Sequence, residues 1–153
     1  MKRLFFIFYS LLFAASIFAE DAVTVKLAGG LDGNVPLREK MANELTVMLT
    51  EINAAQAAGR DLDFHRMNVS QTVSRSMAML WENTPFVCTD AEIVETVLTT
   101  GTGYQVRNIP LMMKPSGNRA FNEEEYQEAV VSFDKTGNVE SFYLSISMNL
   151  YMN

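Results

Sequence analysis

The sequence is poor in the residues from which most recognisable sites are built, with one cysteine, one histidine and one tryptophan among 153 residues. Cys88 cannot form an internal disulfide, and a single thiol with no identifiable base beside it reads as a small buried hydrophobe rather than a nucleophile. No His or Cys pair stands at metal-ligand spacing, so no metal is assigned. Positive charge is scarce as well. Lys and Arg number 12 against 18 Asp and Glu, a formal net charge of −6, and beyond Lys2-Arg3 the basic residues are scattered singly. Nucleic acid and an anionic membrane surface are not expected partners, because phosphate binding needs clustered cations. Gly101-Thr102-Gly103 is too short to cradle a phosphate and no helix follows it. No cofactor is assigned.

What is present begins with an address. Lys2 and Arg3 precede an uncharged run over residues 4–19 that ends at Glu20-Asp21, the pattern of a secretory signal peptide. As a helix, the run would reach only about 24 Å, short of a hydrocarbon core of roughly 30 Å. Cleavage is placed after Ala19, with a cut after Ser16 as the alternative. No cysteine stands near either point to carry a lipid, so no stable membrane anchor is expected after cleavage. The protein is read as exported, periplasmic or secreted. Losing Lys2 and Arg3 takes the formal charge from −6 to −8, and removing 19 residues from 153 leaves 134, which suits one domain. Residues 20–34 read as a flexible leader, or as a short edge strand and a loop. Residues 35–153 read as the single domain.

The first helix is expected from Pro36, with Asn34 as its cap and Gly59 as its stop. Met41, Leu45, Met48, Ile52 and Ala55 draw one apolar stripe, widened by Leu49. Glu39, Asn43, Glu44, Thr50 and Asn53 lie off it and are expected to meet water. Ser70 caps a second helix whose face carries Val73, Met77 and Leu80, and Thr84-Pro85 ends it. Residues 92–100 are rich in β-branched residues and read as a strand. Residues 104–114 follow the GTG turn as another, edged or bulged at Pro110. Its parity is in conflict: Arg107 shares a side with Ile109, so either Arg107 enters the apolar side or the register breaks. The strongest pattern is last. Residues 125–133 and 142–152 alternate with a period of two about Asp134-Lys135-Thr136-Gly137-Asn138, an antiparallel hairpin. Helices followed by strands indicate an α+β domain with N-terminal helices packed on an antiparallel sheet.

From about Leu37 to Met152 the chain resembles the nuclear transport factor 2-like (SnoaL-like, cystatin-like) superfamily. The resemblance is carried by ELTVMLTEINAAQAAGRDLDF and by the EEYQEAVVSFDKTGNVESFYLSI hairpin. It implies a cone, a strongly curved antiparallel sheet wrapped around the helices. The phrases SMAMLWENTPFVC, GYQVRNIPLMMKP and NVESFYLSISMNLYM resemble a module of exported bacterial envelope proteins with no established activity, one that precedes further domains. Against that plan this chain reads as a truncated or short member.

Enzymes of the superfamily line the cone with an acid/base Asp or His and a Tyr. The matching candidates for a pocket are His65, Trp81, Tyr104 and Arg107, each with a plainer explanation: a solvated histidine, a core anchor, a strand residue and a rim charge. No catalytic residue is assigned. The hairpin offers more, since Tyr126, Tyr143, Ser145, Ser147 and Tyr151 share a polar, aromatic-bearing face. The expected function is a non-catalytic envelope module that binds a protein partner or a second copy, forming a homodimer, through that face. The alternative is a small-ligand protein or an isomerase/hydratase using the cone pocket. A filled interior favours the first and an open one the second.

Overall fold

The computed structural model describes residues 22–83, 85–114 and 125–145. The signal peptide reading, Ser147 and Tyr151 lie outside the described residues. The chain runs β1 (Thr24–Ala28), α1 (Val35–Ala58), a 3-10 turn (Phe64–Arg66), α2 (Gln71–Asn83), β2 (Phe86–Val87), β3 (Glu92–Thr99), β4 (Gly103–Met113), β5 (Glu125–Asp134) and β6 (Val139–Ser145). It is an α+β fold.

Helix α1 begins and ends where its caps dictate. Asn34 Oδ1 accepts from the Leu37 amide at 3.1 Å, Pro36 sits in the first turn, and Gly59 closes the helix in the left-handed region at φ 61°. The apolar stripe is fully buried, from Met41 to Ala55. Two polar residues are buried with it, Glu51 at 3% and Asn53 at 9% exposure. Asn53 therefore does not meet water as its place off the stripe suggests. Its amide clamps the backbone of Cys88, donating to the carbonyl at 2.9 Å and accepting from the N–H at 2.8 Å. That reciprocal pair satisfies the backbone of a residue that lies beyond the end of β2. Thr50, also expected to meet water, is half-buried and accepts a backbone N–H from the β1 segment.

The sheet has the order β1-β3-β4-β5-β6 with β2 also on β4, and its path is open at β1 and β6. It is mixed rather than antiparallel, because β1 joins β3 in parallel. Of the two readings of residues 20–34, the short edge strand is the one seen, as β1 at the end of the sheet. Val23, Val25, Leu27 and Leu31 are buried in the core, and the outer amides of β1 are received by α1: Val25 N–H by Thr46 Oγ1 at 3.2 Å and Val23 N–H by Thr50 Oγ1 at 3.3 Å. A helix thus covers an edge that would otherwise invite another strand.

The parity conflict in β4 is resolved by a bulge. The β4–β5 register shifts between Val106 and Ile109, and Asn108 takes φ 61°, so both Val106 and Ile109 reach the core at 0% exposure. β3 flanks β4 only at residues 104–106 and β2 only at 112–113. Pro110 falls between them, where its missing N–H breaks no ladder on that side.

Between helices and sheet the described residues form a buried apolar cluster. Trp81 meets Phe86 edge to face at 5.3 Å between ring centroids, and Phe86 stacks on Phe142 at 5.8 Å. Met41, Met48, Met77, Ile109, Leu111 and Phe133 belong to the same buried cluster.

Candidate functional site

The helices pack on the inner face of the sheet, and the alternate residues of the same strands make its outer face. Alternation places Gln105, Ser132 and Ser141 in one cross-strand row, Val130 and Tyr143 in the next beside the Arg107-Asn108 bulge, then Pro110, Glu128 and Ser145, then Met112 and Tyr126. Val130 is only 6% exposed although it lies outside the main core cluster; its cross-strand neighbour is Tyr143. The face is held in one arrangement by side chains. Gln105 Nε2 donates to Ser132 Oγ and to Tyr143 Oη, both at 3.2 Å, while Gln105 Oε1 accepts from Arg107 Nε at 2.6 Å. One glutamine therefore ties together β4, β5 and β6 and orients a guanidinium. Around this network Val94, Leu98, Tyr126 and Tyr143 are 62%, 40%, 52% and 45% exposed.

At one end the face opens into a cleft of about 960 Å3 whose lining includes Asn68, Ser70, Thr102, Gln105, Ser132 and Ser141. Many of its polar groups already serve the fold. Ser70 Oγ caps α2 by accepting from Val73 N–H at 3.2 Å, Thr100 Oγ1 accepts from Gly103 N–H, and Asn68 donates to Glu44. Asp134 in the hairpin turn accepts from the Thr136 hydroxyl and from the amides of Thr136 and Asn138. The Thr136 hydroxyl above all, with these amides, holds its carboxyl down at about 2, which leaves an anion committed to the turn. Lys40 Nζ fastens the turn to α1 through Thr136 O and Asn138 Oδ1, each at 2.8 Å. The cleft offers hydrogen bonds and no activated nucleophile among the described residues.

The four residues proposed for a pocket lie apart, and none lines this cleft. His65 is exposed on the 3-10 turn, where its backbone N–H bonds Asp63 Oδ1. Trp81 is buried on Phe86. Tyr104 packs half-buried against the core. Arg107 is exposed on the outer face. The segment that carries His65 is organised by Glu51, which receives Arg60 at 2.6 and 3.2 Å and the Asp63 amide at 2.7 Å, with Arg66 at 3.6 Å. Burial alone would raise the Glu51 carboxyl, but these donors lower it on balance. Burial pushes the Cys88 thiol up, so it stays protonated and packs as the sequence implies.

Of the face read from the hairpin, Tyr126, Tyr143 and Ser145 are on the outer side of the sheet as alternation requires. Sequence reasoning missed Gln105. Its parity with Ser132 could have been counted from the GTG turn, had the bulge two residues later not confused the strand. Among the described residues no group of His, Cys, Asp and Glu could hold a metal ion, and no helix is long and apolar enough to cross a membrane. Compared with protein-family models, curated proteins and solved structures, the chain matches none.

Proposed function

We propose that this is an exported, non-catalytic module of the nuclear transport factor 2-like type, which works in the cell envelope by binding another protein chain through the outer face of its sheet. The observation that carries this reading is the contrast between the two sides: a packed interior around Phe86, and an ordered outer face on which Tyr126 and Tyr143 stay half exposed. Tyrosines held this way suit an interface, since the ring can be desolvated while the hydroxyl keeps a partner. The leader read at residues 1–19 supports export. A pocket enzyme would need space where the aromatic cluster stands.

A photo-crosslinking residue placed at 143, and separately at Met79 on the exposed side of α2, tests the reading in cells that produce the protein. Met79 is 65% exposed and serves as the matched control. Discrete protein adducts from position 143 and none from 79 are expected. Equal yields from both positions, or none from 143, overturn the proposal.

A further inference from the structure

Beyond the binding of a protein chain, we propose that the cleft at the end of the outer face binds a neutral, polyhydroxylated ligand, a short oligosaccharide. Its partners are the hydroxyls of Ser70, Thr100, Ser132 and Ser141 and the carboxylate of Glu140.

The lining of the cleft excludes the other ligand classes. Among the described residues it holds no Lys, Arg or His, so an anion would find no counterion and would face Asp134 and Glu140 instead. Its apolar members are Val69, Phe133 and Val139, of which the last two are only 1% and 5% exposed. Little apolar area is left to draw in an apolar ligand. No group of three His, Cys, Asp or Glu side chains stands among the described residues to hold a metal ion. What remains is a wall of hydroxyl groups, each able to donate and to accept. A sugar matches such a wall because its own hydroxyls do both at closely spaced points. The volume of about 960 Å3 lies near the top of the range for small-ligand clefts, about 300–1,000 Å3.

Three of the hydroxyls are held in place by the fold. Ser70 Oγ accepts from Val73 N–H at 3.2 Å, Thr100 Oγ1 from Gly103 N–H at 3.1 Å, and Ser132 Oγ from Gln105 Nε2 at 3.2 Å. Each acts only as an acceptor in these bonds and keeps its own proton for a ligand, on an oxygen already positioned. A bulge adds the acceptor. In the β5–β6 ladder Ser132 pairs with Ser141 and Phe133 with Val139, which leaves Glu140 with no residue opposite it. Glu140 thereby lines the same cleft as its neighbour Ser141 instead of alternating away from it. It belongs to no ion pair among the described residues. An open carboxylate accepts from two adjacent hydroxyls at once, in charge-assisted bonds about twice as strong as neutral ones. Asp134, the other carboxylate of the lining, is spent on the hairpin turn, where the Thr136 hydroxyl first and the turn amides after it hold it down at about 2. It is no proton donor to set across from Glu140, so the cleft binds a sugar without cleaving it.

An array of neutral, sialylated and sulfated oligosaccharides, probed with the purified protein, is the first test. Retention on neutral glycans is expected. Retention on the acidic glycans alone, or on none, overturns the proposal. Calorimetry with a retained neutral glycan then locates the site. Glu140→Gln, at an exposed position, should weaken binding by about tenfold, and Ser141→Trp, which fills the cleft, should abolish it. Circular dichroism melts close to wild type establish that both variants fold. A Glu140→Gln protein that binds the glycan as tightly as wild type overturns the assignment to this cleft.

Discussion

The two faces of this sheet are built from alternate residues of the same strands, yet they are finished differently. On the inner face Val106, Ile109, Leu111, Ala129, Val131 and Phe133 are almost completely buried beneath the helices, and the polar groups that enter that layer, Asn53 and Glu51, are spent on holding backbone in place. On the outer face the polar groups bond one another sideways, from Arg107 through Gln105 to Ser132 and Tyr143. They leave apolar side chains uncovered between them. The inner side is arranged for stability, whereas the outer side is ordered without being covered.

The largest effect should come from the centre of the inner face. Phe86 is 0% exposed and touches both Trp81 and Phe142, so Phe86→Ala removes a filled volume that rigid neighbours cannot close. A loss of about 3–5 kcal/mol in a urea melt is expected. A loss below about 1 kcal/mol would mean that the interior is loosely filled and that a pocket reading must be reopened. Glu51→Gln comes next. It keeps the shape but weakens the bonds from Arg60 and Arg66, for an expected loss of about 1–3 kcal/mol at neutral pH. The sign with pH follows from the lowered carboxyl of Glu51. Its stabilisation is present above the unfolded carboxylate range and is lost as pH falls through the folded value, so the wild-type advantage over Glu51→Gln should hold near pH 7 and shrink below about pH 4. Parallel melts of the two proteins between those limits provide the check, and an advantage that grows on acidification would contradict the assigned ion pairs.

How much of this was legible beforehand depended on whether the signal was local. Helix α1 could be read from Asn34 and Pro36 to Gly59 because caps act on their own turn, and the β5–β6 hairpin because alternation and the DKTGN turn agree. Strand β1 was visible only as a brief alternation around Val23 and Val25. Its standing as a core strand depends on a parallel partner, β3, that follows two helices later. For the same reason the sheet looked antiparallel. The bulge at Arg107-Asn108 was signalled as a conflict of parity, but Asn108 carries no glycine to announce its positive φ. Asn53 and Glu51 were hidden because a polar residue that bonds distant backbone looks, in a helical pattern, like one that faces water. The candidate face was half legible: its tyrosines stand out by alternation, and the glutamine that bonds Tyr143 does not.

The smallest expected effect on stability is the one that separates the faces most sharply. Tyr143 stands opposite Val130 and accepts a hydrogen bond from Gln105 at 3.2 Å, but it is 45% exposed. Tyr143→Ser therefore gives up part of one ring's burial and one solvent-accessible bond, and should cost no more than about 1 kcal/mol in the same urea melt. Its effect on association should be larger, because an exposed aromatic at the middle of an interface is desolvated only on binding. If Tyr143→Ser instead destabilises the fold as severely as Phe86→Ala, then the ring is a structural lid over Val130, the outer face is a second small core, and the contrast from which an interface was inferred disappears. A stable variant that no longer associates would place the two rings, a few strands apart, on opposite sides of the division between holding the fold together and using it.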